Sequence, residues 1–170
     1  MSQSHSSTDS YYTTLYDNPI GLMDEYAIDQ GWSVDRSSES ELWTELPGPW
    51  GNQRLWVAFH ADSRFLQFNT YMNIKIPPQR QVSVAHSLTM INERVWLGHF
   101  ELWSEEQVPL FRVVLPLSGG RLYKEQLNDI MTSIHKETQR FFPAIQWIVR
   151  EGKAPEEAIA AAMVETEGEA

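Results

Sequence analysis

The chain of 170 residues contains no cysteine. A disulfide framework, a thiolate zinc site and a cysteine nucleophile are therefore excluded, and the absence fits a reducing, cytoplasmic setting. Positive charge is also scarce. Thirteen Lys and Arg stand against 23 Asp and Glu, giving a formal net charge of −10 and a pI near 4.9. No run of basic residues interrupts that balance, so no nucleic-acid surface is expected, since one needs clustered Lys and Arg. No apolar stretch approaches the roughly 20 residues of a membrane helix, and the N-terminus shows no basic-then-apolar secretion signal. No membrane partner is expected, and the expected location is the cytoplasm.

Catalytic signatures are missing as well. The histidines are His5, His60, His86, His99 and His135, and none forms the two-His helical pair of a zinc protease. His60 and His99 fall on proposed strands, on faces turned from the core, with Asp62 and Glu101 close by in sequence. A metal site needs further ligands in suitable geometry, so surface or hydrogen-bonded histidines are the expected reading. The pairs Glu105-Glu106 and Glu156-Glu157 sit at a turn and at a helix start. Solvated charge explains them better than a catalytic pair set across a pocket. Ser118-Gly119-Gly120 precedes a helix but lacks the lysine of a phosphate loop and the spacing of a dinucleotide fingerprint. It reads as a strand-to-helix turn. No Gly-x-Ser-x-Gly elbow is present. No catalytic residue, cofactor or metal ligand is assigned, and the chain is not expected to be an enzyme.

What the chain does have is aromatic residues, seven Trp, seven Phe and six Tyr, and clear periodicity. Residues 1–17 are rich in Ser, Thr and Tyr without a repeating apolar face and are expected to form a disordered tail. Residues 18–170 are expected to form one domain. Asn18-Pro19 signals a helix start, and Gly31 its end. Alternation then predicts strands over 41–46, 53–61 and 64–76, joined by short turns as an antiparallel meander. Pro77-Pro78 opens a helix with Val82, Ala85, Leu88, Ile91, Asn92 and Val95 at three- and four-residue steps. Gly98 is expected to stop it in the left-handed conformation, and Asn92 to hydrogen-bond into the following turn. Strands over 99–103 and 108–117 form a second hairpin. A long helix from about Leu122 contains Pro143, expected to kink it near Gln139, and a last helix starts at Ala154-Pro155. The fold class is α+β, with an antiparallel sheet of about five strands carrying helices, in the order α-β-β-β-α-β-β-α-α.

Several of these segments resemble the YbjN-domain family of bacterial sensory transduction regulators. The residues that carry the likeness are Ile91-Asn92, Gly98, Phe100 and the turn Trp103-Ser104-Glu105-Glu106. Phe142-Pro143-Ala144, Gly152-Lys153, Pro155-Glu156-Glu157-Ala158 and Glu165-Thr166 are similar to its alphaproteobacterial branch. The resemblance implies a fold like that of type III secretion chaperones and a homodimeric habit. It implies no catalytic residues.

Trp43, Trp56, Tyr71 and Trp103 fall on the strand faces opposite the core. Because Trp and Tyr dominate interface hot spots, these residues are the expected protein interface, serving a homodimer or an unidentified protein partner. The competing arrangement has the last two helices folding over them. The function expected is a regulatory or chaperone-like protein-binding module. The alternative is a small-molecule sensor or enzyme with a pocket between sheet and helices, using His60, His99 or Arg112.

Overall fold

The computed structural model describes residues 18–167; the expected tail, 1–17, lies outside them. Helix α1 (Pro19–Asp29) starts as its sequence signals: the Asn18 side-chain oxygen accepts from the Ile20 amide at 2.9 Å, with Pro19 in the first turn. It buries Ile20, Met23 and Ala27. Strands β1 (Val34–Ser38), β2 (Glu41–Leu46), β3 (Gln53–His60) and β4 (Phe65–Tyr71) follow as a meander. A 3₁₀ turn (Pro78–Arg80) leads into helix α2 (Gln81–Asn92), then β5 (His99–Trp103), β6 (Val108–Pro116), helix α3 (Lys124–Glu151) and helix α4 (Pro155–Glu167).

The sheet has six strands in the order β1-β2-β3-β4-β6-β5, every pair antiparallel. The expectation of about five strands is corrected by β1. Its residues Val34-Asp35-Arg36-Ser37-Ser38 are nearly all exposed, and its pairing with β2 shifts register between Asp35 and Ser38. A polar, irregular edge strand carries no apolar alternation for a sequence reading to find. The strand expected over 64–76 ends at Tyr71. Beyond it Met72, Ile74 and Ile76 remain buried, held by hydrogen bonds that the Met72 amide donates to the Pro109 carbonyl and the Ile76 amide to the Gln107 carbonyl.

One face of the sheet carries the core. Leu42, Leu55, Val57, Leu66, Phe68, Phe111 and Val113 join Met23 of α1, Leu88 of α2, Phe141 and Ile145 of α3 and Ile159 of α4 in one apolar cluster. Helix α3 runs through Pro143 from Lys124 to Glu151 and ends at Gly152, φ +73°.

Helix α2 departs from its sequence reading in two ways. Its buried residues are Val84, Ser87, Leu88 and Ile91, whereas Val82 is 83% exposed. The inward face includes Ser87, whose hydroxyl donates to the Val84 carbonyl at 2.7 Å. A serine satisfied in this way is tolerated in an apolar face but is invisible to a hydropathy pattern. The helix also ends at Asn92, not at Gly98, and the chain turns through residues 93–97 first. Gly98 does adopt φ +80°, at the entry to β5.

Asn92 behaves as expected. Its amide nitrogen donates to the Phe100 carbonyl at 3.0 Å and its oxygen accepts from the Phe100 amide at 2.7 Å. One side chain thereby occupies the place of a neighbouring strand along the outer edge of β5.

Glu137 sits in the middle of α3, 8% exposed, with one carboxylate oxygen lacking a hydrogen-bond partner and Arg140 at 3.9 Å. Burial pushes its carboxyl above the ordinary value of 4.5, against the pull of Arg140 and Lys136. A raised native pKa means that folding takes up a proton. The native glutamate is most favourable below pH 4.5 and loses stability as pH rises through the raised value. Replacing it by Gln should therefore stabilise the fold at pH 7 by up to about 1 kcal/mol. Thermal unfolding across pH tests this: the gain should shrink as pH falls and vanish in acid. A destabilised Glu137→Gln at neutral pH would mean that the Arg140 pair outweighs burial.

Candidate functional site

The face of the sheet turned from the helices is the site that the strands build. Alternation along each strand sends every second side chain there, and the pairing register sets them in rows. One row reads Trp43, Trp56, Asn69, Arg112 and His99 across β2, β3, β4, β6 and β5. The next reads Glu45, Arg54, Tyr71, Leu110 and Glu101 across the same strands.

The expected interface residues meet on this face. Trp56 and Trp43 have ring centroids 6.3 Å apart, Trp43 and Tyr71 stack at 5.6 Å, and Tyr71 and Trp103 lie at 5.1 Å. The rings thus form a continuous chain from β3 through β2 and β4 to β5. Such spacings lie in the favourable range for aromatic pairs. Leu110 and Ala58, on the same face, are 1% and 2% exposed, although no described helix residue lines the clefts here. The large side chains cover the floor themselves.

Polar groups are placed among the rings. The Trp56 indole N–H donates to Glu41 at 3.3 Å, and the Gln67 amide donates to Asn69 at 3.1 Å. The Arg54 guanidinium lies over the Trp43 ring at 4.4 Å. Arg112 donates to Glu101 at 2.5 Å, and His99 lies 3.4 Å from the same carboxylate. Burial raises the Tyr71 hydroxyl pKa; a hydrogen bond with Asn69 opposes the shift, and the Glu106 charge adds to it.

Two adjoining clefts open on this surface and share Trp43, Tyr71 and Trp103. One, of about 460 Å³, is completed by Trp56, Gln67, Asn69, Leu110 and Arg112. The other, of about 660 Å³, runs past Glu45, Asn52, Arg54 and Glu106. Both lie outside the sheet, not between sheet and helices as the sensor reading required.

His60 and His99 do not converge. Their strands, β3 and β5, are separated by β4 and β6, and their rows differ, since His60 pairs with Phe65 and His99 with Arg112. His60 instead lies 3.3 Å from Gln67. Of the three residues proposed for a small-molecule site, Arg112 alone lines a cleft described above. Among the described residues no group of three His, Cys, Asp or Glu could hold a metal ion. Nor is any described helix long and apolar enough to cross a membrane. The competing arrangement, with the last two helices over the aromatic face, is corrected: Phe141 and Ile145 of α3 and Ile159 of α4 belong to the core on the other side.

Two features escaped the sequence reading. Arg54 stands two residues before Trp56 on the same strand face, a spacing that places both on the aromatic side. Trp96, between α2 and β5, is 100% exposed, and nothing in its local sequence separates it from a core tryptophan.

The family model for YbjN, described as "Putative bacterial sensory transduction regulator", matches residues 19–147. Among solved structures, the crystal structure of YbjN, "a putative transcription regulator from E. coli", is similar at 13% identity with a TM-score of 0.49. The similarity covers 76% of this chain and 87% of that one. No curated protein is significantly similar to the chain.

Proposed function

The chain belongs to the YbjN family, and from that premise we propose that it is a non-catalytic regulatory or chaperone-like module that acts by binding protein in the cytoplasm. The observation that carries this reading is the ring chain Trp56, Trp43, Tyr71 and Trp103 on a sheet face that the described helices leave open. Tyr71 is buried and the three tryptophans are half-buried, so what the row presents is the outer parts of the tryptophan rings, and aromatic residues are enriched where proteins meet. The test is capture from native lysate by the full chain and by Trp56→Glu and Trp103→Glu, each checked for an unchanged melting temperature. A protein retained by the native chain and lost with both variants supports the reading. If every retained protein is indifferent to both substitutions, the face is not the binding surface.

Self-association belongs to the same proposal, on the helix side of the molecule. Trp96 is fully exposed in the turn after α2, and Val82 and Ala85 are exposed near the start of that helix; we place the contact at Trp96. A two-fold dimer brings one patch against itself, and Trp is the residue most often decisive in such contacts. Repulsion between two chains of charge −10 is screened over about 8 Å at physiological salt. Light scattering should give twice the mass of the 19.7 kDa chain, falling to one chain with Trp96→Glu. A single-chain mass that holds on concentration to about 100 μM would sink the dimer, since a weaker contact is no stable one.

A further inference from the structure

Resting on the protein-binding reading above, we propose that the larger cleft of the aromatic face takes an arginine side chain from a basic segment of the partner. Three observations point to a cation. The first is ring surface: Trp43, Tyr71 and Trp103 form the shared wall of the cleft. Aromatic faces attract guanidinium groups, tryptophan most strongly.

The second is negative charge at the rim. Glu45 lies on one side of the cleft and Glu106 on the other. Glu45 accepts from the Asn52 amide at 2.9 Å, and among the described residues neither carboxylate has an ion-pair partner. Glu106 is close enough to Tyr71 to act on its hydroxyl. The third is the occupancy that the chain itself displays. Arg54 already lies on the Trp43 ring at 4.4 Å, so this wall accommodates a guanidinium at stacking distance.

Arg54 does not saturate the cleft. A void of about 660 Å³ remains beside it, bounded by Trp103 and by the carboxylates of Glu45 and Glu106. The net charge of −10 would draw a basic segment toward this face and repel an acidic one. Arginine suits the site better than lysine. Its planar group stacks on a ring while its N–H fork reaches carboxylates, whereas a lysine ammonium offers a point charge without a stacking plane.

The test uses the full chain and three acetylated, amidated peptides of equal length: one with three arginines spaced by serine, one with lysines in their place and one with glutamates. Tryptophan fluorescence reads binding. The arginine peptide should give a saturable change, bind at least several-fold tighter than the lysine peptide, and weaken as salt rises. Glu106→Gln, on an exposed turn where folding is not at stake, should weaken it severalfold and flatten the salt dependence. Trp103→Ala should weaken it by tenfold or more.

Equal binding of the glutamate peptide, abolished by Trp103→Ala, would overturn the basic partner while leaving the protein-binding reading standing. Arginine-peptide binding indifferent to both substitutions would place the cation elsewhere and overturn the assignment. Absence of peptide binding, with a dimer dispersed by Trp103→Glu, would assign the cleft to a second copy. Binding that emerges only after residues 1–17 are deleted would assign it to the chain's own leading segment. Either result overturns the proposal.

Discussion

Gly98→Val should lower the melting temperature by about 4–20 °C. Two costs coincide at this position. The backbone sits at φ +80°, where a β-branched residue is a steric outlier; the left-handed conformation costs an L-residue about 1–2 kcal/mol. Space is lacking as well. A Cβ on Gly98 would lie 2.5 Å from the Arg112 carbonyl oxygen, 2.8 Å from Val113 Cγ2 and 3.0 Å from the Phe111 ring. All three residues belong to β6, the strand that pairs β5 to the rest of the sheet; the Arg112 carbonyl is backbone and moves only if the ladder moves, and the Val113 and Phe111 side chains are held in the buried core. Overpacking of this kind adds about 1–3 kcal/mol, and the two together reach about 2–5 kcal/mol. At about 2–4 °C per kcal/mol for a chain of this size, the shift is large.

Gly31 provides the control. Its φ is +74°, yet a Cβ there meets nothing within 4 Å. Gly31→Ala should therefore show the conformational cost alone, about 1–2 kcal/mol, while Gly98→Ala should lose clearly more. Thermal unfolding of the three variants separates backbone conformation from contact. A Gly98→Val protein that melts with the native chain would mean that β5 enters the sheet by a different path.

The contrast shows what the residues of this chain disclosed in advance and what they withheld. A glycine between a helical pattern and an alternating one implied a special backbone, and positive φ was legible. Its place in the fold was not. Whether Gly98 ends α2 or begins β5 depends on the turn at 93–97, where Val95, Trp96 and Leu97 continue the apolar look of the helix. Tertiary contact with β6 decides the matter, and such contact has no local signature.

The same division holds on the sheet. Period-two alternation separated Trp43, Trp56, Tyr71 and Trp103 from the core face correctly, because alternation is a local rule. That they touch one another depends on register and strand order. Tyr71 on β4 reaches Trp103 on β5 although β6 lies between their strands, a contact that large side chains make across a strand. Order β4-β6-β5 follows from β6 inserting beside β4, which sequence spacing does not state. Helix α2 shows the converse failure. Apolar positions alone imply a stripe beginning at Val82, but the inward face is set by Val84, Ser87, Leu88 and Ile91. Two exposed apolar residues then remain on its outer side as a candidate contact.

Asn92→Leu should cost about 2–4 kcal/mol, close to the effect of Gly98→Val, by breaking a different part of the same junction. Phe100 is 2% exposed, and both its amide and its carbonyl bond to the Asn92 side chain. Leucine of similar volume keeps the packing but leaves two buried backbone groups without partners, each worth about 1–3 kcal/mol when unsatisfied. The outer edge of β5 would also lose its cover, and an uncovered sheet edge is a template for pairing with other chains. Lower stability should therefore come with a greater tendency to aggregate, seen by light scattering during thermal unfolding.

Asn92→Asp tests the mechanism more sharply. A carboxylate still accepts from the Phe100 amide but presents its second oxygen to the Phe100 carbonyl, acceptor against acceptor. Protonation restores the donor, so the folded state favours the neutral acid and raises its pKa above the unfolded value. By linkage, stability relative to the native chain should be lowest at neutral pH and recover as pH falls through the raised pKa toward the unfolded one. Asn92→Leu has no proton to gain and should show no such recovery. If Asp and Leu variants track each other across pH, the two-point contact between Asn92 and Phe100 does not hold β5 in place.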